Sequence, residues 1–204
     1  MGRGAVLLAV VAVAGVVPLA RAQVTGMPSF NAPYRAFGRS EFGAVFSFPD
    51  GGGTGLEGVY RYASGTLDVG LRGGFFSPGG NAKTALLAGV EARERVITHT
   101  IDFPLDGALV FGAGADLVSG GSALNIPVGL SLGRRVDPQD ATVSIVPYVQ
   151  PTLVFIVGDR PSTLVFGFGI GADFRLSRVF DARVSGGLGD HPLRGVSIGA
   201  VWVH

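Results

Sequence analysis

TLVFGFGIGADFR, residues 163–175, puts Leu164, Phe166, Phe168, Ile170, Ala172 and Phe174 at every second position. Between them stand Gly167, Gly169, Gly171, Asp173 and Arg175. Side chains alternate across a β-strand, so this stretch has one continuous apolar face and one face of glycine and charge. A helix would need apolar positions three and four apart, and the segment lacks them. Thr66 to Phe76 repeats the device, with Leu67, Val69, Leu71, Gly73 and Phe75 opposed to Thr66, Asp68, Gly70, Arg72 and Gly74. So does Ala123 to Arg135, where Leu124, Ile126, Val128, Leu130 and Leu132 oppose Asn125, Gly129, Ser131, Gly133 and Arg135.

Working outward, the same alternation predicts strands near 40–48, 54–63, 83–96, 107–118, 141–157, 179–187 and 194–204. With the three above this makes ten, an even count as a closed antiparallel barrel requires. Turn signals separate them, among them Pro49-Asp50-Gly51-Gly52-Gly53, Ser64-Gly65, Ser119-Gly120-Gly121-Ser122 and Asp137-Pro138-Gln139-Asp140. Ile97 to Asp106 reads as an extension of a strand, a strand of its own, or a loop. Pro147 and Pro151 each remove a ladder donor, which predicts a bulge or a split in the strand that holds them. Eight strands with longer loops is the alternative count.

Bulk composition points to a membrane. Charged residues are 15% of the 204, whereas a soluble surface carries roughly 25–35%. Mean hydropathy is +0.44, yet no stretch after residue 22 is long enough to span as a helix. A transmembrane barrel resolves that conflict, because it satisfies every backbone group without a spanning helix. Alternation also fits a soluble lipocalin-like barrel or a β-sandwich, and the polar faces decide between them. Gly70, Gly74, Gly112, Gly114, Gly129, Gly133, Gly167, Gly169 and Gly171 would make a poor water-facing strand surface, since glycine weakens strands. In a narrow lumen glycine leaves room for long charged side chains to cross and pair, with some water-filled space left over. Ten residues tilted near 40° span roughly 25 Å, the height of the apolar band in such barrels. Tyr60, Tyr62, Phe75, Phe174, Phe180 and Trp202 fall near strand ends on the apolar faces, as interfacial girdles do.

The first 22 residues have the form of a secretory signal. Arg3 is the positive start, Ala5 to Val17 the apolar run, and Pro18 its break. Ala20-Arg21-Ala22 supplies the small-x-small site, with Gln23 the expected mature N-terminus. Residues 23–39 form an N-terminal segment and 40–204 the barrel. Removing Arg3 and Arg21 takes the formal charge from +1 to −1, a balance that argues against nucleic acid as a partner. There is no cysteine, which excludes disulfides, thiolate metal sites and a lipoprotein anchor.

As a pattern over residues 40–204, the chain resembles small outer-membrane barrels of the OmpA, OmpX and opacity-protein type. Val196, Ile198, Ala200, Trp202 and His204 alternate to the last residue. The family typically ends in an aromatic-x-Phe signal; here Trp202-Val203-His204 keeps the first aromatic and replaces the last with His. The resemblance implies outer-membrane localisation, contact with its lipid, and periplasmic chaperones and the barrel assembly machinery as partners during biogenesis.

Charges expected in the lumen are Glu57, Arg61, Asp68, Arg72, Glu91, Arg93, Arg95, Asp116, Asp173, Arg175, Asp181 and Arg183. They read as a salt-bridge network filling a thin barrel, or alternatively as the constriction of a narrow passive channel for ions or small solutes. Catalysis has little support. Asp190-His191 sits in an expected surface loop and invites comparison with outer-membrane proteases, but it is also ordinary turn chemistry. His99 among Thr98 and Thr100 suggests a lipid A-modifying site only on its own. No histidine pair suits a metal. Gly-Phe-Gly-Ile-Gly-Ala at 167–172 opens no helix and so fails as a phosphate loop. The expectation is a structural or interaction barrel with no cofactor and no enzymatic activity.

Overall fold

In the computed structural model, which describes residues 24–33, 39–138, 143–159, 161–190 and 193–204, the alternating segments are ten strands. They are β1 Glu41–Pro49, β2 Thr54–Ser64, β3 Leu67–Ser77, β4 Ala85–Ile97, β5 Asp106–Val118, β6 Gly121–Gly133, β7 Ser144–Gly158, β8 Thr163–Arg175, β9 Phe180–Gly189 and β10 Gly195–Val203. Each pairs antiparallel with its neighbours in sequence, and β1 pairs with β10 to close the barrel. Closure leaves no edge strand with unpaired backbone. The count is therefore ten and not eight.

Glycines with positive φ allow the tightest reversals. Gly65 (φ 62°) turns β2 into β3, and Gly120 (φ 100°) turns β5 into β6. A left-handed conformation costs a residue without a Cβ almost nothing. The ambiguous stretch 97–106 resolves into strand ends and a loop. Ile97 closes β4, Asp106 opens β5, and Thr100 and Phe103 bond across the connection between them.

β7 runs unbroken through Pro147 and Pro151, so the expected bulge or split is absent. A gap in pairing beside Pro151 appears instead, without a shift of register. Opposite β6, pairing runs from Ala123↔Gly158 to Gly129↔Thr152, skips the rungs beside Pro151, and resumes at Leu132↔Val149. Against β8 the ladder is continuous from Ser144↔Arg175 to Ile156↔Thr163.

The two faces separate as the alternation predicts. On β3, Asp68, Gly70, Arg72 and Phe76 point inward, while Leu67, Val69, Leu71 and Phe75 stay exposed, Leu71 at 55% and Phe75 at 59%. Exposed Leu, Val, Ile and Phe side chains continue around the outside of every strand. Near the end where β1 and β10 meet the termini, an aromatic group gathers. Phe180 and Trp202 stack edge to face at 5.1 Å, and the His204 ring lies 6.0 Å from Phe42 and 6.3 Å from Tyr60. His204 thus joins this outer-face aromatic group.

Candidate functional site in the barrel lumen

Lumen-facing positions hold all twelve charges expected there. Arg61 is the hub. Its guanidinium reaches Asp68 at 2.6 Å, Glu91, and Glu41 at 3.4 Å. Arg93 holds the other side of Asp68 at 2.9 Å. Arg183 clamps both oxygens of Glu41 at 2.8 Å and pairs with Asp173 at 3.2 Å. Arg93, Asp68, Arg61, Glu91, Glu41, Arg183 and Asp173 form one connected network at the terminus end. Arg72–Glu57 at 2.9 Å and Arg175–Asp181 at 3.2 Å are separate pairs. Charges away from water need such partners, and a planar guanidinium can serve several carboxylates at once. Gly70, opposite Arg61 on the neighbouring strand, lies under that guanidinium, and a Cβ there would meet it at 3.4 Å.

Asp116 accepts a bond from Asn125 Nδ2 at 3.3 Å. Arg95 is half-buried near the terminus end of β4. Glu41 and Asp106 were not anticipated, although both sit on inward positions that alternation could have identified. Among the described residues the lumen carries eight acids (Glu41, Glu57, Asp68, Glu91, Asp106, Asp116, Asp173, Asp181) and six arginines (Arg61, Arg72, Arg93, Arg95, Arg175, Arg183).

The largest departure from expectation is what else fills the lumen. Residues 24–33 run inside the barrel, with Val24, Thr25, Met27, Ser29, Phe30 and Ala32 all buried. The segment has no strand or helix of its own, so side chains of the wall satisfy its backbone. Tyr148 OH donates to the Phe30 carbonyl at 2.8 Å, and Ser131 Oγ to that of Asn31 at 2.8 Å. Arg93 Nη1 donates to the Ala32 carbonyl. Phe30 N–H donates to Ser185 Oγ at 3.1 Å, and Asn31 N–H to Gln150 Oε1 at 3.3 Å. Arg72 reaches Ser29, and Thr25 Oγ1 donates to Glu57. The segment therefore engages the charged groups directly.

Its path explains several of the inward glycines. Pro33 lies beside Gly133 towards the terminus end, Phe30 over Gly169 and Gly187, and Met27 over Gly55. Gly26 (φ 73°) then bends the chain so that Val24 covers Gly89, Gly112 and Gly114. A Cβ on Gly114 would lie 1.9 Å from the Val24 carbonyl oxygen, and one on Gly169 2.2 Å from the Phe30 ring. Glycine was expected to make room for charged side chains, and at Gly70 it does. At these other positions it makes room for residues 24–33 instead.

Apolar contacts close the far end. Met27 packs with Phe76, Ala85 and Leu87. Leu193, from the β9–β10 connection, turns inward against Val154 and Val165, over Gly167 and Gly187. Beside the ionic network, a void of about 20 Å³ lies among Ser29, Glu41, Arg61, Arg183, Phe30 and Val45, about the room of a single water.

At the rims, Asp190 has a structural part: its carboxylate accepts from Phe166 N–H at 2.9 Å while its own N–H donates to the Phe166 carbonyl. His191 lies outside the described residues. His99 Nδ1 is 3.0 Å from both oxygens of buried Asp106, and its N–H donates to Asp106 Oδ1, which pins the β4–β5 loop. Thr100 is engaged with Phe103.

No family model and no curated protein matches the chain. Among solved structures it is similar to the β domain of the Bordetella autotransporter BrkA, with a TM-score of 0.53 and 18% identity over 76% of each chain. At that identity the likeness concerns the fold alone. This chain has the closed antiparallel β-barrel fold of the outer-membrane type.

Proposed function

We propose that the protein is an exported outer-membrane barrel with a structural or interaction role, closed by its own N-terminal segment and without enzymatic activity. Residues 1–22 are the export signal and are removed. The apolar outer faces meet lipid, and the start of β1 and the end of β10, which share one rim of the barrel, lie on the periplasmic side. Barrel assembly machinery and periplasmic chaperones handle the chain on the way. Short connections at both ends and the alternation through Trp202 and His204 support grouping it with small OmpA-, OmpX- and opacity-type barrels.

The observation that carries this reading is the burial of residues 24–33 within the lumen. Ten strands enclose more space than eight, and here that space is occupied by backbone and side chains rather than left as a pore. The test is planar-bilayer recording on refolded residues 23–204. A silent bilayer, alongside a heat-modifiable folded band, is the expected result. Steady single-channel openings would instead establish the narrow passive channel.

A further inference from the structure

We propose that the lumen wall is a peptide-binding site and that residues 24–33 are its tethered, exchangeable ligand. The site takes an uncharged, extended segment in which a thioether or aliphatic side chain is followed, three positions on, by an aromatic ring. This names the partner class of the interaction role proposed above and rests on that reading.

The segment is held as a ligand is held. Among the described residues it makes one backbone bond to itself, from Ser29 N–H to the Met27 carbonyl at 2.8 Å. Its remaining backbone bonds go to side chains of β3, β4, β6, β7 and β9. Arg72, Tyr148, Ser131 and Arg93 donate to the carbonyls of Ser29, Phe30, Asn31 and Ala32. Ser185 and Gln150 accept from the Phe30 and Asn31 amides, and Ser185 Oγ also donates to the Pro28 carbonyl at 3.4 Å. Bonds to backbone are indifferent to the side chains of the peptide, so they supply affinity while pockets supply selectivity.

Two pockets are present. Phe30 lies over Gly169 and Gly187 against Val146 and Tyr148, and Met27 lies over Gly55 against Phe76, Ala85 and Leu87. Glu57 and Glu91 accept from Thr25 Oγ1 and Asn31 Nδ2, so the flanking positions favour neutral donors. VTGMPSFNAP carries no charge. All the groups that hold it belong to a sheet that closes without it. A second peptide of the same pattern therefore meets the same groups once the resident one leaves. A short tether gives the resident copy an effective concentration of millimolar order, which keeps the site of the intact protein filled.

The test uses refolded residues 23–204 carrying Met27→Ala and Phe30→Ala together. These changes strip the resident ligand of its anchors and leave the wall untouched. The probe is the synthetic peptide VTGMPSFNAP, acetylated and bearing a fluorophore beyond its last residue, which corresponds to Pro33 beside Gly133 at the end of β6. A heat-modifiable band reports folding, and limited proteolysis in lipid reports release of the variant's own segment. Fluorescence anisotropy is expected to show saturable binding to the variant and at least about tenfold weaker binding to the unsubstituted chain, whose site is filled. A probe with both anchors replaced by alanine is expected to bind the variant at least about tenfold more weakly, the scale of burying one large apolar side chain. Should the double variant give no heat-modifiable band, Phe30→Ala alone serves, with the same expectations. Equal binding of the two probes overturns the site, as does the absence of binding to a folded variant whose segment is released. A segment that stays protected without its anchors overturns it too, because the pockets then do not hold the ligand. Conductance of the unsubstituted chain is a separate measurement, so failure of the closed-barrel reading is told apart from failure of the peptide site.

Discussion

Gly114 and Gly58 are the same residue type in one sheet, yet they answer to opposite constraints. A Cβ on Gly114 would collide with the Val24 carbonyl at 1.9 Å, whereas on outward Gly58 the nearest atom is a carbonyl oxygen at 3.7 Å. Gly114→Val should expel residues 24–33 and expose them to added protease in lipid, while the barrel stays folded. Gly58→Ala should raise stability by about 0.5–1 kcal/mol, since glycine in a strand carries an entropy cost and no packing clash opposes the methyl. Urea unfolding in lipid vesicles measures the second effect. Arg61 gives a further residue-level expectation. Arg61→Met leaves Asp68, Glu91 and Glu41 facing an apolar side chain, and breaking buried pairs costs about 3–5 kcal/mol. Because Arg93 still holds Asp68 and Arg183 still holds Glu41, the loss should fall at the lower end of that range. A loss below 1 kcal/mol in the same unfolding assay would contradict the network.

For single elements, period-two patterning was legible because each strand carries its own instruction: one face for the outside, one for the lumen. That is why β3, β6 and β8 could be read directly, and why inward charges such as Asp68 and Arg183 were placed before any contact was known. Proline was harder to read. Its missing donor is visible in sequence, but whether the ladder responds by bulging or by skipping rungs depends on the partner strand. Beside Pro151 the long pairing of β7 with β8 holds the register and the β6 side gives way. Residues 24–33 were illegible for a different reason. VTGMPSFNAP has no period, and the wall groups that bond it lie tens of residues away or more, as Phe30 to Ser185 shows. The available hint was an excess of inward glycine beyond what the charged side chains need. The two faces of one strand give the sharpest check. Leu71→Arg should cost about 2–4 kcal/mol if that site lies at mid-bilayer. Arg72→Leu, one residue away, should act by unpairing Glu57 and releasing Ser29. A neutral Leu71→Arg together with improved lipid insertion of Arg72→Leu would reverse inside and outside.

Across the whole molecule, the lumen is layered along its axis, and the layers assign different tasks to the same barrel. Met27 with Phe76 and Leu87, and Leu193 with Val154 and Val165, make apolar clusters at the far end. The connected ion pairs around Arg61 lie towards the termini, and residues 24–33 link the two by bonding to both. Sealing thus depends on a segment that is not part of the closed sheet, whose hydrogen-bonded ring is complete without it. Deleting residues 24–33 should leave a folded, heat-modifiable barrel that conducts, where the intact protein is silent. The open lumen retains eight acids against six arginines among its described positions, and low-dielectric walls concentrate the field of such a surplus. The deleted form should therefore prefer cations, giving a reversal potential of cation-selective sign across a KCl gradient. Silence would mean that the ion pairs alone close the barrel. Anion preference would mean that the carboxylates do not dominate the field in the opened lumen.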